Sequence, residues 1–116
     1  MEPSVQNAMA AELIRLREFG PSLGRPAVGK LSNSKYPNLK ELRFDAADGV
    51  WRVAFAFDPL QRAVLLVAGD KSGGSEKKFY NRLIDKADRR YAAHLKTVKV
   101  EKEAGKKAAT AKGGKL

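Results

Sequence analysis

The chain contains no cysteine, a single histidine, and no apolar run approaching the ~18 residues that a membrane span needs. Without cysteine there is no disulfide and no thiol nucleophile, so nothing requires an oxidising compartment and a cytoplasmic location is expected. One histidine, His94, excludes a His-rich metal site, and the 13 Asp and Glu residues show no ligand spacing. No metal, cofactor or membrane partner is therefore expected, and neither a signal peptide nor an internal repeat is visible. Acidic residues are in deficit as well. Lys and Arg number 23, the formal net charge is +10 and the sequence pI is ≈ 10.0, which points to a polyanionic partner such as RNA, DNA or an anionic surface. Residues 1–95 carry 16 basic against 11 acidic side chains and residues 96–116 carry 7 against 2, so each part contributes +5. A length of 116 residues suits one domain with one modest core.

What is present is a run of β-prone segments between Asn38 and Gly74. Residues 38–44 (Asn-Leu-Lys-Glu-Leu-Arg-Phe), 50–58 (Val-Trp-Arg-Val-Ala-Phe-Ala-Phe-Asp) and 63–74 are joined by Asp-Ala-Ala-Asp-Gly and Pro-Leu-Gln-Arg. Turn chemistry between such runs predicts an antiparallel three-strand meander. Leu42 and Phe44 share one face of the first strand, and Trp51, Val53, Phe55 and Phe57 share one face of the second. Pairing Phe44 with Trp51 makes those apolar faces coincide, and it places Arg43 opposite Arg52 on the other face. Like charges facing each other across a strand pair cost stability, so two guanidiniums held there imply an anion between them. Two solvated arginines on a wet sheet face are the simpler alternative.

The periodicity predicts an amphipathic helix over Val5–Phe19, with Val5, Met9, Leu13 and Leu16 facing the sheet and Gly20-Pro21 as its stop. Residues 21–38 read as a long connection in which Arg25, Lys30 and Lys35 could track a phosphate backbone. A second helix is expected from Ser75, its N-cap, to Leu95, with Glu76 favourably placed in the first turn. Tyr80, Leu83, Ile84, Ala87, Tyr91 and Leu95 form its apolar stripe, and the rest of it is basic. Residues 96–116 lose the periodicity and read as a disordered Lys-rich tail. The expected class is α+β: a small, twisted antiparallel sheet with an N-terminal and a C-terminal α-helix.

The same segments carry a resemblance. Leu-Lys-Glu-Leu-Arg (39–43), Trp-Arg-Val-Ala-Phe (51–55), Leu-Leu-Val-Ala-Gly-Asp-Lys-Ser-Gly (65–73), a helix opening Lys-Lys-Phe-Tyr and ending Ala-Asp-Arg-Arg-Tyr-Ala-Ala-His-Leu (87–95), and Leu-Arg-Glu-Phe-Gly-Pro-Ser-Leu-Gly-Arg-Pro (16–26) together resemble the RelE/HigB toxins of bacterial toxin–antitoxin modules, in their phage-derived HigB branch. The resemblance implies a toxin domain over residues 1–95 that cleaves messenger RNA on the ribosome and is silenced by a helix-turn-helix antitoxin. The family usually begins with a β-strand. Only Met1 to Ser4 precede the first helix here and they do not read as a strand, so the sheet is expected to lack one.

RNA cleavage without a metal requires the 2′-hydroxyl to attack phosphorus, a proton acceptor, charge on the phosphoryl oxygens, and a donor to the leaving 5′-oxygen. His94, alone in a late helix, reads as structural. The resemblance implies that Arg43 and Arg52 bind the phosphate, that Lys71 shuttles a proton or stabilises the transition state, and that Tyr80 stacks on a base or joins the proton transfer. Lys40, Lys77, Lys78 and Arg82 are the further phosphate-binding candidates, and Gly73-Gly74 could admit a phosphate to free amides. Core packing is the simpler role for Tyr80. Two rival functions remain open: a non-catalytic basic module that binds nucleic acid, and a ParE-like toxin that inhibits DNA gyrase.

Overall fold

The computed structural model describes residues 2–22, 24 and 27–114, with residues 106–114 as backbone only. Helix α1 spans Pro3–Phe19, and the strands are β1 (Val28–Lys30), β2 (Lys40–Ala46), β3 (Gly49–Phe57) and β4 (Ala63–Asp70). Helix α2 spans Glu76–Gly114. The strands form one antiparallel sheet in the order β1-β2-β3-β4, an α+β fold of the expected class.

The expected register between β2 and β3 holds: Leu42 faces Val53, Arg43 faces Arg52 and Phe44 faces Trp51. A two-residue turn joins them. Ala47 and Asp48 sit at φ 50° and 61°, as a primed hairpin turn requires, although neither residue is glycine. Between β3 and β4 the pairing slips at Ala54/Phe55, a bulge that leaves Leu66 as the extra residue of β4. Arg90 of α2 donates to the Leu66 carbonyl at 2.6 Å.

Alternation gives each sheet face its own core. One face carries Leu42, Phe44, Val53 and Phe55, which pack with Val28 and with Val5 and Leu16 of α1; Met9 and Leu13 lie at the margin. Proline occupies the first turn of α1, and Gly20, at φ 55°, closes it by donating to the Leu16 carbonyl. The other face is not wet. Ala54, Ala56 and Leu66 pack there against Leu83, Ile84, Ala87 and Tyr91 of α2, with Leu31 and Leu39 from the flanking chain. Phe55 is fully buried, whereas Trp51 and Phe57, expected among the most buried residues, are only half-buried. Trp51 lies near the strand end, where its ring stacks on Phe44 at 6.4 Å and α1 covers mainly β2.

Three further expectations are corrected. The connection over 21–38 holds β1, whose residues Val28, Gly29 and Lys30 pair with Leu42, Glu41 and Lys40, so the meander has four strands rather than three. Arg25 lies outside the described residues. The rest of the connection is tied to α2 by Asp88, which accepts from the Ser34 hydroxyl at 2.5 Å and the Lys35 amide at 3.1 Å. Helix α2 does not stop at Leu95, and the segment expected to be disordered continues it through Gly114. Val98 is buried and Glu101 pairs with Arg62 at 3.0 Å, so tertiary partners continue beyond Leu95 as far as Glu101. No strand precedes α1 among the described residues.

Candidate active site

Arg43 and Arg52 face each other across β2 and β3, yet their guanidiniums turn apart. Arg43 turns along its own strand to Glu41, two residues back on the same face, with Nη2 and Nε at 2.7 and 2.8 Å from Oε1. Arg52 donates from Nη1 to the carbonyl of Trp51 at 2.9 Å. The repulsion expected between the two is thus relieved by a carboxylate on one side and a backbone dipole on the other. Gly29 makes room for the ion pair. A Cβ at that position would stand 2.8 Å from Arg43 Nη2.

Two polar atoms of the cluster are left over. Glu41 Oε2 and Arg52 Nε are buried and have no hydrogen-bond partner. An orphaned acceptor and an orphaned donor on adjacent strands are costly unless something else occupies them.

Helix α2 and the end of β4 complete the cluster. Ser75 caps the helix by accepting from the Lys78 amide at 3.3 Å, as expected. One turn in, Tyr80 reaches the two arginine strands. Burial raises its hydroxyl pKa above the ordinary value and the neighbouring Glu41 carboxylate adds to this, against weaker opposing effects of Arg52 and Lys71. Lys71 follows β4, held by its amide to the Val50 carbonyl at 2.7 Å. Its ammonium lies 5.8 Å from the Tyr80 ring centroid and 2.9 Å from Glu76 Oε1. The Glu76 carboxyl is lowered in turn, chiefly by its hydrogen bond to Lys71 and slightly by Arg52.

Arg43, Arg52, Lys71 and Tyr80 therefore converge. A cleft of ≈ 360 Å³ opens beside Arg43 and Tyr80, lined also by Glu41 and rimmed by Lys30, Lys77 and Asn81, whereas Arg52 and Lys71 lie outside its lining and Arg52 lines a neighbouring cleft with Arg15 and Arg43. The other phosphate-binding candidates lie apart. Lys78 and Arg82 line a different cleft on the opposite flank of α2. Lys40 pairs with Phe55, which belongs to the core on the α1 side of the sheet, so Lys40 lies on that side, away from the arginines. Gly73 and Gly74 adopt φ 77° and 69° at the mouth of the second cleft. His94 is bonded to Asp58 at 2.9 Å, at the far end of β3, six residues or about 20 Å of strand from Arg52. Among the described residues no group of His, Cys, Asp or Glu could hold a metal ion, and no helix is long and apolar enough to cross a membrane.

Sequence reasoning missed Glu41. The signal was available: in a strand, residues two apart share a face, so a glutamate two before Arg43 must lie beside it.

A family described as "Phage derived protein Gp49-like (DUF891)" matches residues 1–92. Two relatives come from Mycobacterium tuberculosis (strain ATCC 25618 / H37Rv). "Putative toxin HigB3" is 48% identical over 71 residues, 61% of this chain and 60% of the relative. "Putative toxin HigB2" is 41% identical over 81 residues, 69% of this chain and 40% of the relative. The chain thus spans 60% or less of the length of either relative. No solved structure matches it. The family match covers α1, every strand and α2 as far as Ala92, and this chain belongs to the phage-derived Gp49-like family.

Proposed function

We propose that this protein is the toxin of a toxin–antitoxin module and acts as a metal-independent endoribonuclease on messenger RNA at the ribosome, in the cytoplasm, held inactive by a helix-turn-helix antitoxin. The names of its two relatives support the toxin reading. The observation that carries the chemistry is the convergence of Arg43, Arg52, Lys71 and Tyr80 around Glu41, with one buried acceptor and one buried donor unpartnered.

In this reading the scissile phosphate lies over β2 and β3. Arg52 uses its free Nε and remaining Nη to bind phosphoryl oxygens, and Arg43 shares itself between Glu41 and the phosphate. The 2′-hydroxyl attacks phosphorus while Glu41 Oε2 accepts its proton. The bond to the 5′-oxygen breaks as the Tyr80 hydroxyl, which keeps its proton at neutral pH, donates to it. Lys71 adds positive charge where negative charge develops. The products are a 2′,3′-cyclic phosphate and a 5′-hydroxyl, so atoms and protons balance without a metal.

The test is cleavage of messenger RNA with ribosomes present, mapped by the 5′-hydroxyl ends it leaves, with Arg52→Ala as the control. A parent protein that never cuts under these conditions would sink the nuclease reading and promote a non-catalytic nucleic-acid-binding module. Growth arrest accompanied by loss of gyrase supercoiling, without RNA cleavage, would favour the ParE-like alternative.

A further inference from the structure

A cleft larger than the one beside Arg43 and Tyr80 lies elsewhere. It measures ≈ 470 Å³ and lies between β4 and α2, lined by Gly73, Gly74, Lys78, Phe79, Arg82 and Lys86 among others. We propose that this second cleft is a subsite for single-stranded RNA flanking the scissile phosphate, an assignment that takes the direction of the strand from the nuclease reading above.

Charge is the first argument. Lys78, Arg82 and Lys86 recur every four residues, so they share one flank of α2 with roughly 6 Å of helix rise between neighbours. That spacing is comparable to the separation of consecutive phosphates on an extended strand. All three are exposed, and among the described residues no carboxylate pairs with any of them, whereas Arg43, Arg62, Lys71 and Arg89 each have an acidic partner. A row of uncompensated cations along a cleft concentrates field for an anionic chain.

The floor supplies the second argument. Phe79 lies against β4 because residue 69 is glycine; a Cβ there would stand 3.0 Å from the ring. The ring is only half-buried, so part of it faces the cleft and can stack on a base. At the mouth, a Cβ at Gly73 or Gly74 would meet nothing within 4 Å, which leaves the entrance open.

Continuity is the third. Phe79 and Tyr80 meet edge to face at 5.3 Å and straddle the first turns of α2, one ring in each cleft. Gly69, beneath Phe79, is the strand partner of Arg52. A strand whose phosphate rests on Arg52 therefore has its next nucleotide one step from the second cleft. An acidic protein would also meet the cations, but the half-buried Phe79 ring beside them suits a base, and the experiment separates the two.

The experiment measures binding of an RNA of about 12 nucleotides, 2′-O-methylated throughout so that it cannot be cut, to the full chain across a salt series by fluorescence anisotropy. Combining Lys78→Gln, Arg82→Gln and Lys86→Gln keeps helix propensity and removes three contacts, so affinity should fall ~10-fold or more and the slope of log affinity against log salt by about two. The matched control combines Lys96→Gln, Lys99→Gln and Lys102→Gln, removing the same charge further along α2, and should stay within about threefold of the parent. Phe79→Leu, which keeps an apolar contact on Gly69 but loses the ring on which a base can stack, should weaken binding by ~5-fold or more. Equal losses in both triple variants, or parental binding by the first, would overturn the subsite. Unchanged RNA binding with loss of antitoxin binding would also overturn it, by showing the cleft to be a protein interface. Because the RNA cannot be cleaved, a parent without nuclease activity leaves this result standing. A parent that cuts on ribosomes while the first triple variant binds normally removes the subsite alone.

Discussion

Arg52 concentrates the functional argument at the scale of single side chains. It donates to its neighbour's carbonyl, interacts with the Tyr80 hydroxyl and keeps a buried Nε without a partner, which costs stability in the free protein. If that donor meets phosphate in the transition state, Arg52→Ala should lower ribosome-dependent cleavage ~10²-fold or more while RNA affinity falls much less. Arg52→Lys should recover only part of the loss, since it keeps charge without the fork. Urea unfolding of Arg52→Ala should show equal or slightly higher stability, because a buried donor without a partner is removed. Parental cleavage by Arg52→Ala would remove it from the site. Gly29 gives a second, independent probe. Gly29→Ala must push the tip of Arg43, a flexible group, so stability should change by less than ~1 kcal/mol while cleavage falls ~10-fold or more through misplacement of the guanidinium. A large drop in melting temperature instead would mean that the strand, not the side chain, had moved.

Among the elements, the β2–β3 pair decides both core and site, because a one-residue slip would exchange Arg43 and Arg52 for Leu42 and Val53. Phe55 has no exposed surface, so Phe55→Ala should cost ~3–5 kcal/mol in urea unfolding. Half-buried Trp51 should cost roughly half as much. Equal costs would show α1 covering more of β3 than its contacts with β2 indicate. This pair was legible in the sequence for a definite reason: alternating apolar residues on both strands fix the register, and the register fixes where the arginines point. Strand β1 was not legible, since three residues with a central glycine show neither alternation nor β-propensity. The continuation of α2 past Leu95 was hidden differently. Lys and Ala there are good helix formers, but the apolar stripe that announces a packed helix is reduced to Val98. Lys40 misled because alternation was applied to the arginines and not to it, and it falls on the α1 face.

On the scale of the whole molecule, the end of the sheet opposite the arginines is tied by a single carboxylate. Asp58 is 1% exposed and accepts from the Leu60 and Arg62 amides, from Arg62 Nε and from His94 Nε2, each at 2.9 Å. Burial alone would raise its pKa, but the donors outweigh burial and hold it far below the usual carboxylate range. A depressed folded-state pKa contributes stability that is present above the unfolded value and is lost as pH falls. The melting temperature should therefore decline through the acid range where unfolded aspartate titrates, and Asp58→Asn should flatten that decline while lowering stability at neutral pH. An undiminished acid slope in Asp58→Asn would place the sensitivity elsewhere. Arg90, finally, has a consequence for how the protein behaves in company. Strand β4 borders the sheet, and at its bulge Arg90 occupies the Leu66 carbonyl. Side chains that cap an outer strand deny it to strands of neighbouring chains. Arg90→Ala should leave the monomer folded but make light scattering rise with concentration and time, as uncapped borders find one another. In a protein this basic, that one guanidinium works as a guard against self-association, in addition to the long-range repulsion that net charge already provides.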